Sequence, residues 1–101
     1  METISAKELD WYIGRRGYLL IDLRTREEFM KEHIRGAVNA PDGEKGEMHT
    51  CLDGHIGDTL ILYCDRGAKS LSVARELEEK GWRTKSVVGG LRAYRGRNLI
   101  T

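Results

Sequence analysis

The sequence predicts an α/β domain built on a mainly parallel sheet covered by helices on both faces. Two observations carry that prediction. Strand-like and helix-like segments alternate along the chain, which is the pattern of parallel strands joined by helical crossovers. Two compact apolar runs, Tyr18 to Ile21 and Leu60 to Cys64, are continuous rather than alternating, as strands buried on both faces are. The 101 residues suffice for one domain over 1–101, and a chain of this size buries roughly two-thirds of its unfolded surface.

The elements follow in order. Ser5-Ala6-Lys7-Glu8 has the capping-box pattern, with Ile4 and Leu9 placed as a hydrophobic staple. A short helix with Leu9, Tyr12 and Ile13 inward should end at Gly14. Tyr18 to Leu23 is the first strand. Thr25-Arg26-Glu27-Glu28 is a second capping box and opens a helix carrying Phe29 and Met30. Ala37-Val38-Asn39 reads as a brief strand, closed by Pro41. Residues 42–58 hold four glycines and few apolar anchors, Met48, Leu52 and Ile56, and are expected to form a long loop with room for one weak helical turn. Thr59 to Tyr63 is the strongest strand. A helix from Lys69 to Lys80 presents Leu71, Ala74 and Leu77 on one face and stops at Gly81. Ser86-Val87-Val88 is a last strand, broken by Gly89-Gly90, and a short helix is expected near Leu91 to Arg95.

Composition narrows the function classes. Hydrophobic residues make up 40% and charged residues 33%, the balance of a soluble globular protein. A net charge of +1 supplies no field for nucleic acid or an anionic membrane, and no basic stripe is interleaved with aromatics. The apolar runs are too short to span a bilayer, and the amino terminus lacks the basic and apolar segments of a secretory signal. The expectation is a cytoplasmic protein, monomeric or weakly dimeric. In that setting Cys51 and Cys64 are at least as readily free thiols as a disulfide.

The chemistry concentrates in Cys64-Asp65-Arg66-Gly67-Ala68-Lys69-Ser70. In open α/β sheets ligands sit beyond the carboxyl ends of the strands, and Cys64 stands at that end of the strongest strand, just before a helix. Backbone N–H groups in such a loop make an anion-binding nest, and Gly67 permits the angles a tight cradle needs. A helix amino terminus with Arg66 and Lys69 nearby favours a thiolate nucleophile, whereas Asp65 opposes it. Cys64 also reads, more plainly, as a buried core cysteine. A Walker A loop would need glycine at Tyr63 and Ala68, and a cysteine phosphatase loop would need arginine at Ser70.

Four segments together resemble the single-domain rhodanese (thiosulfate sulfurtransferase-like) family. Leu20-Ile21-Asp22-Leu23-Arg24 resembles its aspartate-hydrophobe-arginine strand. Glu28-Phe29 followed by His33-Ile34-Arg35-Gly36-Ala37-Val38-Asn39-Ala40-Pro41 resembles its G-H-I-x-G-A-x-N-x-P motif. Leu62-Tyr63-Cys64 and the loop through Lys69 resemble its six-residue active-site loop, and Val88-Gly89-Gly90-Leu91 through Ala93-Tyr94 its closing G-G-x-x-A-W segment. The resemblance implies a three-layer domain with a central, mainly parallel sheet of about five strands. It implies that Cys64 takes sulfur as a persulfide from a small anionic donor such as thiosulfate and yields it to a thiol, protein or cyanide acceptor. Substrate binding then falls to Asp65, Arg66, Gly67, Ala68, Lys69 and Ser70, and to Arg35, which occupies the variable position of the His-Ile-x-Gly motif. No metal or organic cofactor is implied. Asp65 stands where the family often has arginine or a neutral residue, Glu32 where it has glycine, and Tyr94 where tryptophan is common.

Other residues have plainer readings. Asp22 and Arg24 fit a structural pair better than catalytic groups. His49, Cys51 and His55 lie close in a glycine-rich segment without the fixed geometry a metal needs, and Cys51 is either a resolving thiol or a bystander. Arg92, Arg95 and Arg97 read as a solvated basic face. Two rival functions stand beside sulfur transfer: a sulfur-relay or protein-interaction module with little small-molecule turnover, and phosphate or arsenate chemistry, against which the short loop counts.

Overall fold

The computed structural model describes all of residues 1–101. Its strands are β1 (Glu2–Ile4), β2 (Tyr18–Asp22), β3 (His33–Ile34), β4 (Val38–Asn39), β5 (Thr59–Tyr63), β6 (Arg83–Val87) and β7 (Leu99–Ile100), and its helices are α1 (Leu9–Tyr12), α2 (Arg26–Lys31), α3 (Lys45–Leu52) and α4 (Ala68–Glu79). The main sheet has the order β1-β6-β5-β2-β4, and every pairing in it is parallel. Strands β3 and β7 form a separate antiparallel pair.

The continuous apolar runs are central strands, as expected. Strand β5 alternates its side chains between two cores. Leu60, Leu62 and Cys64 join Leu19, Ile21, Leu23 and Met48 beneath Ala74 and Leu77 of α4. Ile61 and Tyr63 face Ile4, Leu9, Ile34, Val87 and Tyr94. Because the two faces are equally apolar, no polar alternation marks this strand in the sequence.

Both capping boxes form. Thr25 Oγ1 accepts the Glu28 N–H at 3.1 Å, and Glu28 Oε1 accepts the Thr25 N–H at 3.1 Å. Ser5 and Glu8 exchange the equivalent pair at 3.0 and 2.9 Å. The 42–58 segment departs from its expected loop, since α3 spans eight residues of it. Glu44 caps that helix by accepting from Gly46 and Glu47, and these bonds hold its carboxyl below the ordinary carboxylate range. The last main-sheet strand is longer and earlier than expected, ending at Val87 and leaving Val88 exposed. The expected carboxyl-terminal helix is a single 3-10 turn over Leu91–Ala93.

Tyr63 ties the two sheets together. Its buried hydroxyl accepts the Ile34 N–H at 3.0 Å, and burial pushes its ionisation far above the ordinary tyrosine range. Tyr63→Phe strands that buried amide without an acceptor and is expected to cost about 1–3 kcal/mol. Urea unfolding measures this, and equal midpoints for the two proteins would refute it.

Candidate active site

Three elements converge on Cys64. Strand β5 ends at Tyr63 and delivers the cysteine beyond the carboxyl edge of the sheet. The loop Cys64–Gly67 then turns into α4. Gly67 sits at φ 105°, and a Cβ there would lie 2.9 Å from the Gly89 nitrogen, so both its backbone angle and the close neighbour call for glycine. The turn after β6 closes the site from the other side.

Cys64 is 6% exposed, yet it lines an open cleft of about 260 Å³ together with Leu23, Arg24, Thr25, Glu28, Asp42, Asp65, Arg66, Ala68 and Lys69. Cys64 Sγ accepts the Gly67 N–H at 3.0 Å and the Ser70 N–H at 3.4 Å. Ser70 Oγ lies 3.6 Å from the sulfur, donates to the Gly67 carbonyl at 3.1 Å, and sits 2.8 Å from Ser86 Oγ. A buried hydroxyl pair thus backs the sulfur from the sheet side. The sulfur is thus the acceptor of two main-chain amides.

The loop carbonyls face the other way. The Leu91 N–H donates to the Cys64 carbonyl at 2.9 Å, and the Arg92 N–H to the Asp65 carbonyl at 3.1 Å. With these carbonyls fastened to the 3-10 turn, the N–H groups of Asp65, Arg66, Ala68 and Lys69 have no acceptor within the protein. Four unpaired donors at the start of a helix, beside a sulfur, are the kind of arrangement that favours an anion.

The side chains of the loop behave differently from the sequence expectation. Lys69 Nζ pairs with Asp42 Oδ1 at 2.5 Å. Asp65 Oδ2 is 2.9 Å from Arg92 Nε and 3.9 Å from Arg66 Nε. Of the two cations expected to draw an anion inward, Lys69 is therefore engaged by Asp42, whereas Arg66 is 71% exposed and stands 3.9 Å from an Asp65 carboxylate that Arg92 already holds. The donors lining the cradle itself are backbone amides.

Residues 64–70 are brought together as expected. Arg35 is not. It is exposed and lines a separate hollow of about 270 Å³ with Leu9, Tyr12, Arg16 and Tyr18. The reason is strand direction: β4 runs parallel to the rest of the sheet, so a residue preceding it lies toward the amino ends of the strands, away from Cys64.

Asp22 and Arg24 form a buried structural pair. Asp22 accepts from the Arg24 backbone N–H at 2.8 Å, and its Oδ2 lies 3.0 Å from the Arg24 guanidinium, which also reaches the Glu32 carbonyl. Burial opposes the charge on Arg24, but the bonds and charge of Asp22 outweigh it and hold the guanidinium above the ordinary arginine value. Asn39 Nδ2 fastens the same corner through the Asp22 and Arg24 carbonyls. His49, Cys51 and His55 do not converge. Cys51 Sγ meets the Asn39 carbonyl at 3.6 Å, His55 meets Asp58, and no group of three potential ligands is assembled anywhere in the chain.

Two participants were not read as part of the site from sequence. Asp42 takes a left-handed conformation at φ 56°, which aspartate tolerates better than most residues, but nothing local marks it as Lys69's partner. Arg92 carries no signal beyond its charge, because its partner lies 27 residues away.

Comparison with known proteins agrees with this architecture. Residues 5–97 match the rhodanese-like domain family. The thiosulfate sulfurtransferase PspE of Escherichia coli (strain K12) is 33% identical over 72 residues, covering 71% of this chain and 69% of the relative. Thiosulfate sulfurtransferase 16, chloroplastic, of Arabidopsis thaliana is 30% identical over 96 residues, covering 84% and 80%. A rhodanese-like domain protein from Staphylococcus aureus has the same fold, with a TM-score of 0.82 at 24% identity over 99% of this chain and 97% of that one.

Proposed function

This chain belongs to the rhodanese-like domain family, and from that premise we propose that it is a sulfurtransferase carrying sulfane sulfur as a persulfide on Cys64. One observation carries the reading: the Cys64 sulfur faces two amide donors at the floor of an open cleft, beside four further amides with no protein acceptor.

In the first half-reaction the Cys64 thiolate attacks the outer sulfur of an anionic donor such as thiosulfate. A bond forms between Sγ and that sulfur, the donor's S–S bond breaks, and its electron pair departs with sulfite. Thiolate and thiosulfate dianion become persulfide anion and sulfite dianion, so atoms and charge balance. In this reading the unpaired loop amides stabilise the departing oxyanion and then the outer persulfide sulfur. In the second half-reaction a thiolate or cyanide attacks that outer sulfur and restores the cysteine thiolate. Both steps balance with the cysteine alone. Both cysteines are free, which suits a reducing compartment such as the cytoplasm.

The test is intact mass after incubation with thiosulfate. The protein is expected to gain one sulfur atom and to lose it to cyanide as thiocyanate. Hydrolysis of a phosphate ester with no sulfur gained would overturn the assignment. If neither happens, the reading of a relay module fed by another protein takes its place.

A further inference from the structure

The acid directly after the reactive cysteine has a structural answer elsewhere in the chain. A carboxylate at position 65 borders the cleft through which a donor approaches, and its negative charge would repel an anion. The structure turns that carboxylate onto Arg92, with Oδ2 2.9 Å from Nε. The same two residues are joined a second time through the Arg92 N–H and the Asp65 carbonyl at 3.1 Å. Arg92 is in turn held by its own carbonyl, which accepts from the Arg95 guanidinium at 2.6 Å.

We propose that Arg92 is a positioning and specificity-determining residue that fixes Asp65 at the rim and neutralises it, allowing an anionic substrate to reach Cys64. This rests on the reading of Cys64 as the reactive group. The pair is solvent-exposed on both sides, at 60% and 42%, and exposed ion pairs contribute little to stability. Its consequence should therefore appear in which reagents reach the sulfur, and only weakly in folding. Arg66 cannot take over the role in this geometry, because it stands 3.9 Å from the same oxygen and is more exposed. Lys69 cannot either, since Asp42 engages it.

The experiment compares alkylation of Cys64 by iodoacetate, an anion, with alkylation by the neutral iodoacetamide, read at the Cys64 peptide by mass spectrometry. In Arg92→Gln the iodoacetate-to-iodoacetamide rate ratio is expected to fall on the order of fivefold, with the drop shrinking at high salt. Adding Asp65→Asn to that variant should restore the ratio, and Asp65→Asn alone should raise it above wild type. A ratio unchanged in Arg92→Gln, or one left low in the double variant, overturns the inference. Because Asp65→Asn alone keeps Arg92 and its backbone bond, it tests the charge argument even if Arg92→Gln folds poorly. Uptake of sulfur from thiosulfate should fall in parallel with the iodoacetate rate. If wild type takes up no sulfur while the alkylation ratios behave as stated, the sulfurtransferase reading fails and the role of Arg92 stands.

Discussion

Cys64→Ser is expected to gain no sulfur from thiosulfate, whereas Cys51→Ser gains one atom as the wild type does. The two thiols sit in different surroundings. Cys51 is packed against the core with its sulfur 3.6 Å from the Asn39 carbonyl. Burial, reinforced by the Glu47 carboxylate, pushes its thiol above the ordinary cysteine value, so at neutral pH it is a poor nucleophile. Cys64 meets N–H groups where Cys51 meets a carbonyl oxygen. A serine hydroxyl at position 64 could keep those bonds but cannot carry sulfane sulfur, so the loss should be complete and not a matter of degree. Intact mass followed by peptide mapping measures it. Sulfur retained on Cys64→Ser would move the reactive group to Cys51 and refute the site.

Gly90→Ala is expected to cost at least about 3 kcal/mol, a large part of the roughly 5–15 kcal/mol that holds a domain of this size together. Gly90 has φ 61° and ψ −156°, a region essentially reserved for glycine, where another residue is strained by about 1–3 kcal/mol. Space adds to the cost. A Cβ at this position would lie 2.4 Å from the Cys64 carbonyl oxygen and 2.6 Å from the Asp65 carbonyl. These are backbone atoms already fastened to Leu91 and Arg92, so they cannot move aside without opening the loop that aims the amides at the sulfur. The folded fraction should also take up sulfur slowly. Gly54→Ala is the comparison: Gly54 also has a positive φ, 81°, but its Cβ would meet nothing within 4 Å, so only the backbone cost of about 1–2 kcal/mol remains. Urea unfolding of the two variants separates them, and similar losses would show that the Gly90 contact does not matter.

Much of this architecture is written locally. The capping boxes at Ser5–Glu8 and Thr25–Glu28 form from residues three apart. The run Leu60–Cys64 is apolar on both faces because both faces are buried. Gly67 between a strand and a helix marks the turn that presents the cysteine. These features depend on near neighbours, so a reading of neighbours finds them. Helix α3 escaped because it contains two poor helix formers, Gly46 and Thr50, has only one fully buried residue, Met48, and begins on a glutamate cap. Strand β1 escaped for a related reason: three residues carry too short a pattern, and its place is set by pairing with β6 more than eighty positions away.

Neighbouring residues alone place a cysteine at the carboxyl edge of a parallel sheet, in a tight loop ahead of a helix. Which groups surround it was settled by the assembled fold. It put Arg35 at the other end of the sheet, matched Lys69 with Asp42 and Asp65 with Arg92, and left backbone amides unpaired beside the sulfur. The physical reason is range. Hydrogen-bonded turns and caps are settled within a few residues, whereas an ion pair 27 positions apart, or the direction in which a strand carries an arginine, exists only once the sheet has assembled.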